Sequence, residues 1–198
     1  MKPVHIVQGT ALPLDRSDVD TDQIIPSDWL KRVERTGFDK GLFAEWRDDP
    51  SFVMNQDEYL GANVLLAGPN FGTGSSREHA VWAIQQYGFD AVISPRFGPI
   101  FKNNSTKNGL VAVESTEDIC DQLMAAVEAD PTIEFVIDVK RRTLEVPALD
   151  VNVSFELSDS VQHRFLNGLD DIGLTMQNVD TIGNFEASRP TFKPTTNA

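Results

Sequence analysis

The chain has 198 residues and a formal net charge of −13, from 30 acidic and 17 basic residues. This balance argues against a nucleic-acid-binding protein, because that class presents a basic surface to phosphates, and it mainly indicates solubility. Apolar residues make up 40% of the chain and charged residues 24%, which is ordinary for a soluble globular protein with one core. No apolar run reaches membrane-spanning length, and residues 1–5 lack the basic and apolar regions of a signal peptide, so we expect a cytoplasmic protein.

Cysteine and histidine, the side chains that most often hold iron–sulfur clusters and zinc, are rare in this chain. Cys120 is the single cysteine, so neither an intrachain disulfide nor an iron–sulfur cluster with several thiolate ligands can form within the chain. The three histidines, His5, His79 and His163, lie far apart in the sequence and give little support for a zinc site. We therefore expect this chain alone to bind no metal or cofactor, and we interpret Cys120 as a small buried residue of a helix.

Taken in chain order, the hydrophobic pattern predicts a mixture of strands and helices. Short apolar or alternating segments predict strands at residues 4–7, 11–14, 62–67, 91–94, 110–113, 133–139, 143–146 and 151–155. Helical spacing predicts helices over 41–47, 75–87 and 115–128, after Ser158 and again after residue 173, whereas the polar segment 95–109 looks too irregular for one long helix. We expect a single α/β domain over residues 1–186 that includes the C-terminal helices, then a flexible tail over 187–198.

A glycine-rich loop at residues 68–74 joins a predicted buried strand to the start of a predicted helix. Ser75 and Glu78 have the spacing of a capping box, which places the helix start at Ser75. The free backbone N–H groups of a helix start attract anions, and Arg77 would add a bidentate grip on a carboxylate or phosphate. The spacing of the glycines, Ser76 and Arg77 does not fit a P-loop, a dinucleotide fingerprint or a hydrolase nucleophile elbow.

Four blocks of sequence, in order, resemble one family. They are Asp-Thr-Asp-Gln-Ile-Ile-Pro at 20–26, Gly-Thr-Gly-Ser-Ser-Arg-Glu-His-Ala at 72–80, the segment 96–110 and the segment 166–175. Together they resemble the swivelling domain of the aconitase superfamily and, within it, the small subunits of 3-isopropylmalate dehydratase, over about residues 9–192. The resemblance implies a swivelling β/β/α domain with added C-terminal helices. It also implies a hydro-lyase that interconverts 2-isopropylmalate and 3-isopropylmalate through 2-isopropylmaleate in leucine biosynthesis.

The resemblance also implies a cofactor and a partner. The chemistry of the family uses a [4Fe-4S] cluster as a Lewis acid for the departing hydroxyl group. Because Cys120 alone cannot hold such a cluster, we expect a large subunit to supply it, together with most of the substrate pocket. This chain is expected to be inactive alone.

By matching to the family motif, Ser75 is the expected catalytic base, and Ser76 and Arg77 hold a substrate carboxylate. Thr73 and Gly74 complete the substrate-binding loop. For Ser75 the alternative is a plain helix cap without a chemical role.

Further expected site residues lie outside this loop. In the segment 29–35, Leu30 or Val33 would contact the isopropyl group and Arg32 or Arg35 would meet a carboxylate, against the alternative of a solvated basic loop. The expected supporting residues are Asp20, Asp22, Glu78, His79 and Asn104. For Asp20 and Asp22 we favour a role in tying the loop backbone over cation binding, and for His79 and Asn104 a structural role.

Two other functions stay open from the sequence. The chain could serve another diacid hydro-lyase of the superfamily, such as a homoaconitate, citraconate or dimethylmaleate hydratase, which the segment 29–35 would distinguish. It could also be a non-catalytic anion-binding module on the same fold. An exposed apolar patch around the glycine-rich loop would favour a docking subunit, whereas tight binding of phosphate by the isolated chain would favour a module.

Overall fold

The computed structural model describes residues 1–31, 34–190 and 192. Within these residues the strands are Ile6–Leu14 (β1), Val64–Ala67 (β2), Ala91–Ser94 (β3), Val111–Glu114 (β4), Glu134–Asp138 (β5), Thr143–Val146 (β6) and Val151–Ser154 (β7). The α-helices are Thr21–Ile24 (α1), Ala44–Arg47 (α2), Glu78–Tyr87 (α3), Pro99–Asn108 (α4), Glu117–Ala129 (α5), Asp159–Asn167 (α6), Asp171–Met176 (α7) and Val179–Ala187 (α8). Short 3-10 helices occupy Ser27–Lys31, Phe38–Gly41, Val53–Asn55, Asp57–Tyr59 and Pro147–Leu149.

The seven strands form one sheet in the order β4-β3-β2-β1-β5-β6-β7. Strand β1 joins its two halves, since residues 11–14 pair in parallel with β2 and residues 6–10 pair antiparallel with β5. The prediction of two separate strands at 4–7 and 11–14 was wrong. The chain continues through Gly9, which pairs with Phe135, because both edges of β1 are hydrogen-bonded and a glycine there does not end it.

The parallel half of the sheet is the buried half. Every residue of β2 and β3 is buried, which explains why these strands appear in the sequence as unbroken apolar runs. Helix α3 connects β2 to the parallel strand β3, α4 connects β3 to β4, and α5 packs against β1, β2 and β3. The predicted α/β fold is confirmed, and the glycine-rich loop lies where β2 ends, the edge of a parallel sheet where ligands commonly bind.

The segment 95–109 is more regular than predicted. It forms helix α4, which begins at Pro99 and ends before Gly109 in the left-handed conformation. Phe101 and Ser105, one turn apart, are its only buried residues. With so narrow a buried stripe and a polar remainder, the helical period is faint in the sequence. Helix α5 is also capped one residue later than predicted, by Thr116 rather than Ser115.

The last two helices are poorly covered by the rest of the described chain. Helix α6 is anchored by the buried Phe165, but α7 and α8 bury no residue, and all of Val179–Ala187 is exposed. Their large apolar side chains therefore face solvent: Ile172, Met176, Val179, Ile182 and Phe185. None of the helices in the described ranges is long and apolar enough to cross a membrane. The domain boundary at residue 186 stays a prediction.

Candidate active site

The glycine-rich loop is anchored along the segment that follows β1. Gly68 N–H donates to Leu14 O at 3.3 Å, and Gly72 N–H donates to Val19 O at 2.7 Å. Gly72 has φ +74, and a Cβ there would lie 2.3 Å from the Phe101 ring, so this position requires glycine. The loop is therefore held firmly as far as Thr73, whose N–H also donates to Val19 O.

Beyond Thr73 the loop is exposed at Gly74, Ser75 and Ser76, and the predicted capping box is wrong. Helix α3 begins at Glu78 with Arg77 as its N-cap residue, and Arg77 makes no side-chain capping bond. The plain-cap alternative for Ser75 is thereby excluded. In the described part of the chain the Ser75 hydroxyl makes no hydrogen bond, so it is free for chemistry.

Arg77 precedes the first turn of α3 rather than lying in it. Its side chain is only 16% exposed and forms an ion pair with the half-exposed Asp22. Its guanidinium also donates to Ile25 O at 3.4 Å. Contacts with Asp22 of α1 and with Ile25 just after it thus hold the guanidinium beside the N-terminal end of α3. There the positive potential of the helix end adds to the charge of the arginine.

The segment 20–22 begins α1 and supports the loop. Asp20 caps α1, with Oδ1 accepting from Gln23 N–H at 2.8 Å while Gln23 Oε1 accepts from Asp20 N–H at 2.9 Å. This reciprocal capping box is the backbone role that we favoured for the segment. Among residues 1–31, 34–190 and 192, no group of three His, Cys, Asp or Glu side chains could hold a metal ion.

Thr21, which lies between the two acids, was not among the expected site residues. Its side chain is buried, and its hydroxyl donates to Ser75 O at 2.7 Å. Its backbone N–H donates to Thr73 O at 3.0 Å. No spacing in the sequence signals this contact, because it joins two segments that meet only in the folded chain.

The expected supporting residues on α3 and α4 meet behind the loop. Asn108, a second residue that sequence reasoning missed, donates through Nδ2 to Glu78 Oε1 and to Asn104 O, both at 2.9 Å. Its Oδ1 accepts from Trp82 Nε1 at 2.9 Å. Glu78 thus helps to fix α3 against α4 through Asn108, rather than sharing a capping box with Ser75, whereas the bond to Asn104 O lies within α4.

His79 lies in an aromatic cluster, with its ring centroid 5.2 Å from that of Phe38 and 4.7 Å from that of Trp82. Both contacts are edge-on, as expected for packed rings. This is the structural role that we favoured for His79.

The segment expected to recognise the substrate side chain is described only in part. Leu30 is half-buried in the 3-10 helix Ser27–Lys31, whereas Arg32 and Val33 lie outside the described residues. Farther along, Arg35 O accepts from Gln86 Nε2 at 2.9 Å, which fastens this segment to α3.

The structure therefore brings five sequence-predicted residues, Thr73 to Arg77, together with Asp20 and Asp22 on one exposed surface. Two hydroxyl groups and a guanidinium lie at the N-terminal end of the ten-residue helix α3. Such a surface can bind a carboxylate and stabilise a developing negative charge. Cys120 does not belong to it: burial in α5 raises the pKa of its thiol to about 12.

Known families match this chain at both ends. A family model described as the aconitase C-terminal domain matches residues 1–118. A second, described as the C-terminal domain of the 3-isopropylmalate dehydratase small subunit, matches residues 171–198, which include the exposed helices α7 and α8.

Similar proteins span the whole chain. A 3-isopropylmalate dehydratase small subunit of Rubrobacter xylanophilus is 57% identical over 98% of both chains. One of Acidothermus cellulolyticus is 56% identical over 100% of both chains. The solved structure of a 3-isopropylmalate dehydratase from Methanocaldococcus jannaschii has a TM-score of 0.65 and 26% identity, covering 90% of this chain and 99% of that one. The matched regions include both the strands and helices of the domain and the glycine-rich loop.

Proposed function

This chain belongs to the family of small subunits of 3-isopropylmalate dehydratase, and from that premise we propose its role in catalysis. It is accordingly a subunit of a hydro-lyase of leucine biosynthesis, which interconverts 2-isopropylmalate and 3-isopropylmalate. We propose that this chain contributes the base and a carboxylate-binding arginine to an active site that it shares with a large subunit.

The observation that carries the proposal is the exposed Ser75 hydroxyl, free of any capping bond and close in sequence to Arg77 at the start of α3. The isomerisation removes a carbon-bound proton and a hydroxyl group, then adds water back with the two positions exchanged. A serine hydroxyl is a weak base in water, but positive surroundings stabilise its alkoxide. The Ser75 alkoxide would take the proton from one carbon while the hydroxyl group leaves the neighbouring carbon, which gives 2-isopropylmaleate. When water adds back with the positions exchanged, Ser75 would return the proton to the carbon that had carried the hydroxyl group.

Substrate would be held by the same loop. A carboxylate of the diacid would bind Arg77 and the Ser76 hydroxyl, with the backbone of Thr73 and Gly74 beside it. Arg77 is presented for this by its ion pair with Asp22, whose half-exposed carboxylate can give way to a stronger bidentate partner. Leu30, Arg32 and Val33 stay the proposed contacts to the rest of the substrate.

The departing hydroxyl group needs a Lewis acid, which the family resemblance identifies as a [4Fe-4S] cluster. This chain's residues do not fit such a cluster: Cys120 is its single thiol and is buried, and the described ranges contain no group of three ligands. We therefore place the cluster on the large subunit. A cluster and a free thiol both suit a reducing compartment, which supports the cytoplasm as the proposed location.

The surface of the chain supports a protein partner. Gly74, Ser75 and Ser76 are exposed, so substrate bound beside them would remain in contact with water unless another chain covered it. Helices α7 and α8 add exposed apolar side chains, of which Ile172 is 74% and Phe185 is 65% exposed. Such side chains are typical of a surface that is covered in an assembly.

Reconstitution tests the proposal. Purified chain would be mixed with a candidate large subunit that carries an intact cluster, and formation of 2-isopropylmaleate followed by ultraviolet absorbance. We expect activity only when both chains are present, and its loss in Ser75→Ala with retained assembly. Full activity of the large subunit alone would overturn the subunit role, and full activity of Ser75→Ala would overturn the role of the base.

The same assay separates the alternative functions. Homoaconitate, citraconate and dimethylmaleate, which are unsaturated acids like 2-isopropylmaleate, would be supplied in its place, and the loss of their ultraviolet absorbance would be followed as water adds. A higher kcat/KM for one of them would identify another diacid as the substrate. Phosphate titrated into the isolated chain tests the non-catalytic module. Tight phosphate binding without activity in the mixture would favour that module.

A further inference from the structure

Thr21 connects helix α1 to the tip of the site loop. Its side chain is polar yet buried, and its hydroxyl donates to the Ser75 backbone oxygen at 2.7 Å. Its backbone N–H donates to Thr73 O at 3.0 Å. One residue therefore holds the loop on both sides of Gly74.

The segment 74–76 has little else to hold it. Gly74, Ser75 and Ser76 are all exposed, and Gly74 has φ +83, a conformation from which a glycine reorients at little energetic cost. In the part of the chain that the structure describes, the bond from Thr21 is the one hydrogen bond that these three residues make. The orientation of the Ser75 peptide unit thus depends on the Thr21 hydroxyl.

We infer that Thr21 is a positioning residue for Ser75, an inference that rests on the proposed role of Ser75 as the base. By fixing the Ser75 carbonyl, the Thr21 hydroxyl fixes the direction of the Ser75 Cα–Cβ bond and hence the place of the serine oxygen. Thr21 itself touches no reacting atom.

Substrate binding has a different support, which makes the inference testable. Arg77 is held by Asp22 and by Ile25 O, and neither contact involves the Thr21 hydroxyl. Loss of that hydroxyl should misplace the base while leaving the charged contact between Arg77 and the substrate carboxylate in place. Proton transfer depends steeply on geometry, so kcat should fall while KM stays.

The experiment compares Thr21→Val, which has nearly the same shape without the donor, with Thr21→Ser, which keeps the hydroxyl, in the enzyme assembled with its large subunit. We expect Thr21→Val to lower kcat at least about tenfold with KM within about twofold, and Thr21→Ser to restore most of the kcat. Thr106→Val is the matched control, because the Thr106 hydroxyl also donates to a backbone carbonyl, Lys102 O at 3.1 Å, but within α4. It should change neither constant.

Hydrogen exchange provides a readout independent of activity. Exchange of the backbone amides of residue 21 and Thr73, which donate to Thr73 O and Val19 O at the base of this segment, should speed up in Thr21→Val and not in Thr106→Val when followed by mass spectrometry. If valine prevents folding, Thr21→Ala makes the same comparison with less bulk.

A folded Thr21→Val enzyme with wild-type kcat and unchanged exchange would overturn the inference, as would a Thr21→Ser enzyme as impaired as Thr21→Val. Ser75→Ala is measured in parallel to separate the two hypotheses. Inactive Ser75→Ala beside unimpaired Thr21→Val overturns the positioning role alone, whereas fully active Ser75→Ala overturns the proposed base.

Discussion

Asp22 and Arg77 form an ion pair that joins the start of α1 to the N-cap position of α3. The arginine side chain is mostly buried while the carboxylate is about half exposed. The pair therefore holds the guanidinium in place with a carboxylate that solvent, or a substrate, can reach. This relationship connects two sequence blocks that are far apart along the chain, and it supports the proposed role of Arg77 in binding a substrate carboxylate.

Arg77→Lys is expected to weaken substrate binding more than catalysis. A lysine keeps the charge but loses the planar pair of donors, and loss of one charge-assisted hydrogen bond corresponds to an increase in KM of about tenfold. Steady-state kinetics of the assembled enzyme measure this. Lys102→Arg, at a cation on α4 that is paired with Glu114, is the control and should leave KM unchanged. An unchanged KM in Arg77→Lys would contradict the binding role.

Ser75→Ala should lower kcat by about 10²- to 10⁴-fold, the usual contribution of a positioned base. Because Ser75 is exposed and caps no helix, its removal should leave thermal stability within about 0.5 kcal/mol of wild type. Ser158→Ala provides the contrast, since Ser158 does cap α6 and accepts from Val161 N–H. That variant should lose about 1 kcal/mol of stability and keep its kcat. The opposite pattern would mean that Ser75 is structural.

An aspartate introduced at Ile182 or Phe185 should weaken association with the large subunit. These side chains belong to the exposed apolar face of α7 and α8, and burying a carboxylate there would raise the Kd by about tenfold or more. Asn184→Asp adds the same charge at another exposed position of α8 and should have little effect. Calorimetric titration of one subunit into the other measures the difference. If all three variants raised the Kd equally, the added negative charge on α8, rather than the loss of an apolar contact, would account for the weaker association.

Cys120 should resist alkylation in the folded protein. Burial raises the pKa of its thiol to about 12, so almost no thiolate is present at pH 8 to 9, and the side chain is inaccessible as well. Iodoacetamide labelling should be slow in buffer and fast in guanidinium chloride, as counted by mass spectrometry. Rapid labelling of the folded chain would contradict the buried placement.

The same shift predicts a pH dependence of stability. Above the ordinary thiol pKa of about 8.5 the unfolded chain loses a proton that the folded chain retains until about pH 12. The contribution of Cys120 to stability is therefore complete below pH 8.5 and declines as the pH rises toward 12. Chemical denaturation at several pH values should show a smaller decline in Cys120→Ala than in wild type. Equal declines in the two proteins would contradict the raised pKa.

Apolar runs and local motifs in the sequence were enough to predict the parallel strands, the hairpin of β5 and β6 and the loop that carries Ser75 and Arg77, because unbroken burial and glycine-rich turns leave local signals. The features that the sequence did not predict leave weak local signals or none. Helix α4 buries only Phe101 and Ser105 on its otherwise polar surface, so its period was faint. Helix α3 begins at Glu78 and not at Ser75 as predicted. The hydroxyl of Thr21, which belongs to a different segment, holds the Ser75 carbonyl outside the helix. The sequence by itself thus determined which residues form the loop and which family the chain resembles. Only the tertiary structure decided which segment holds that loop, since a hydrogen bond between residues far apart in the chain leaves no periodic trace in the sequence.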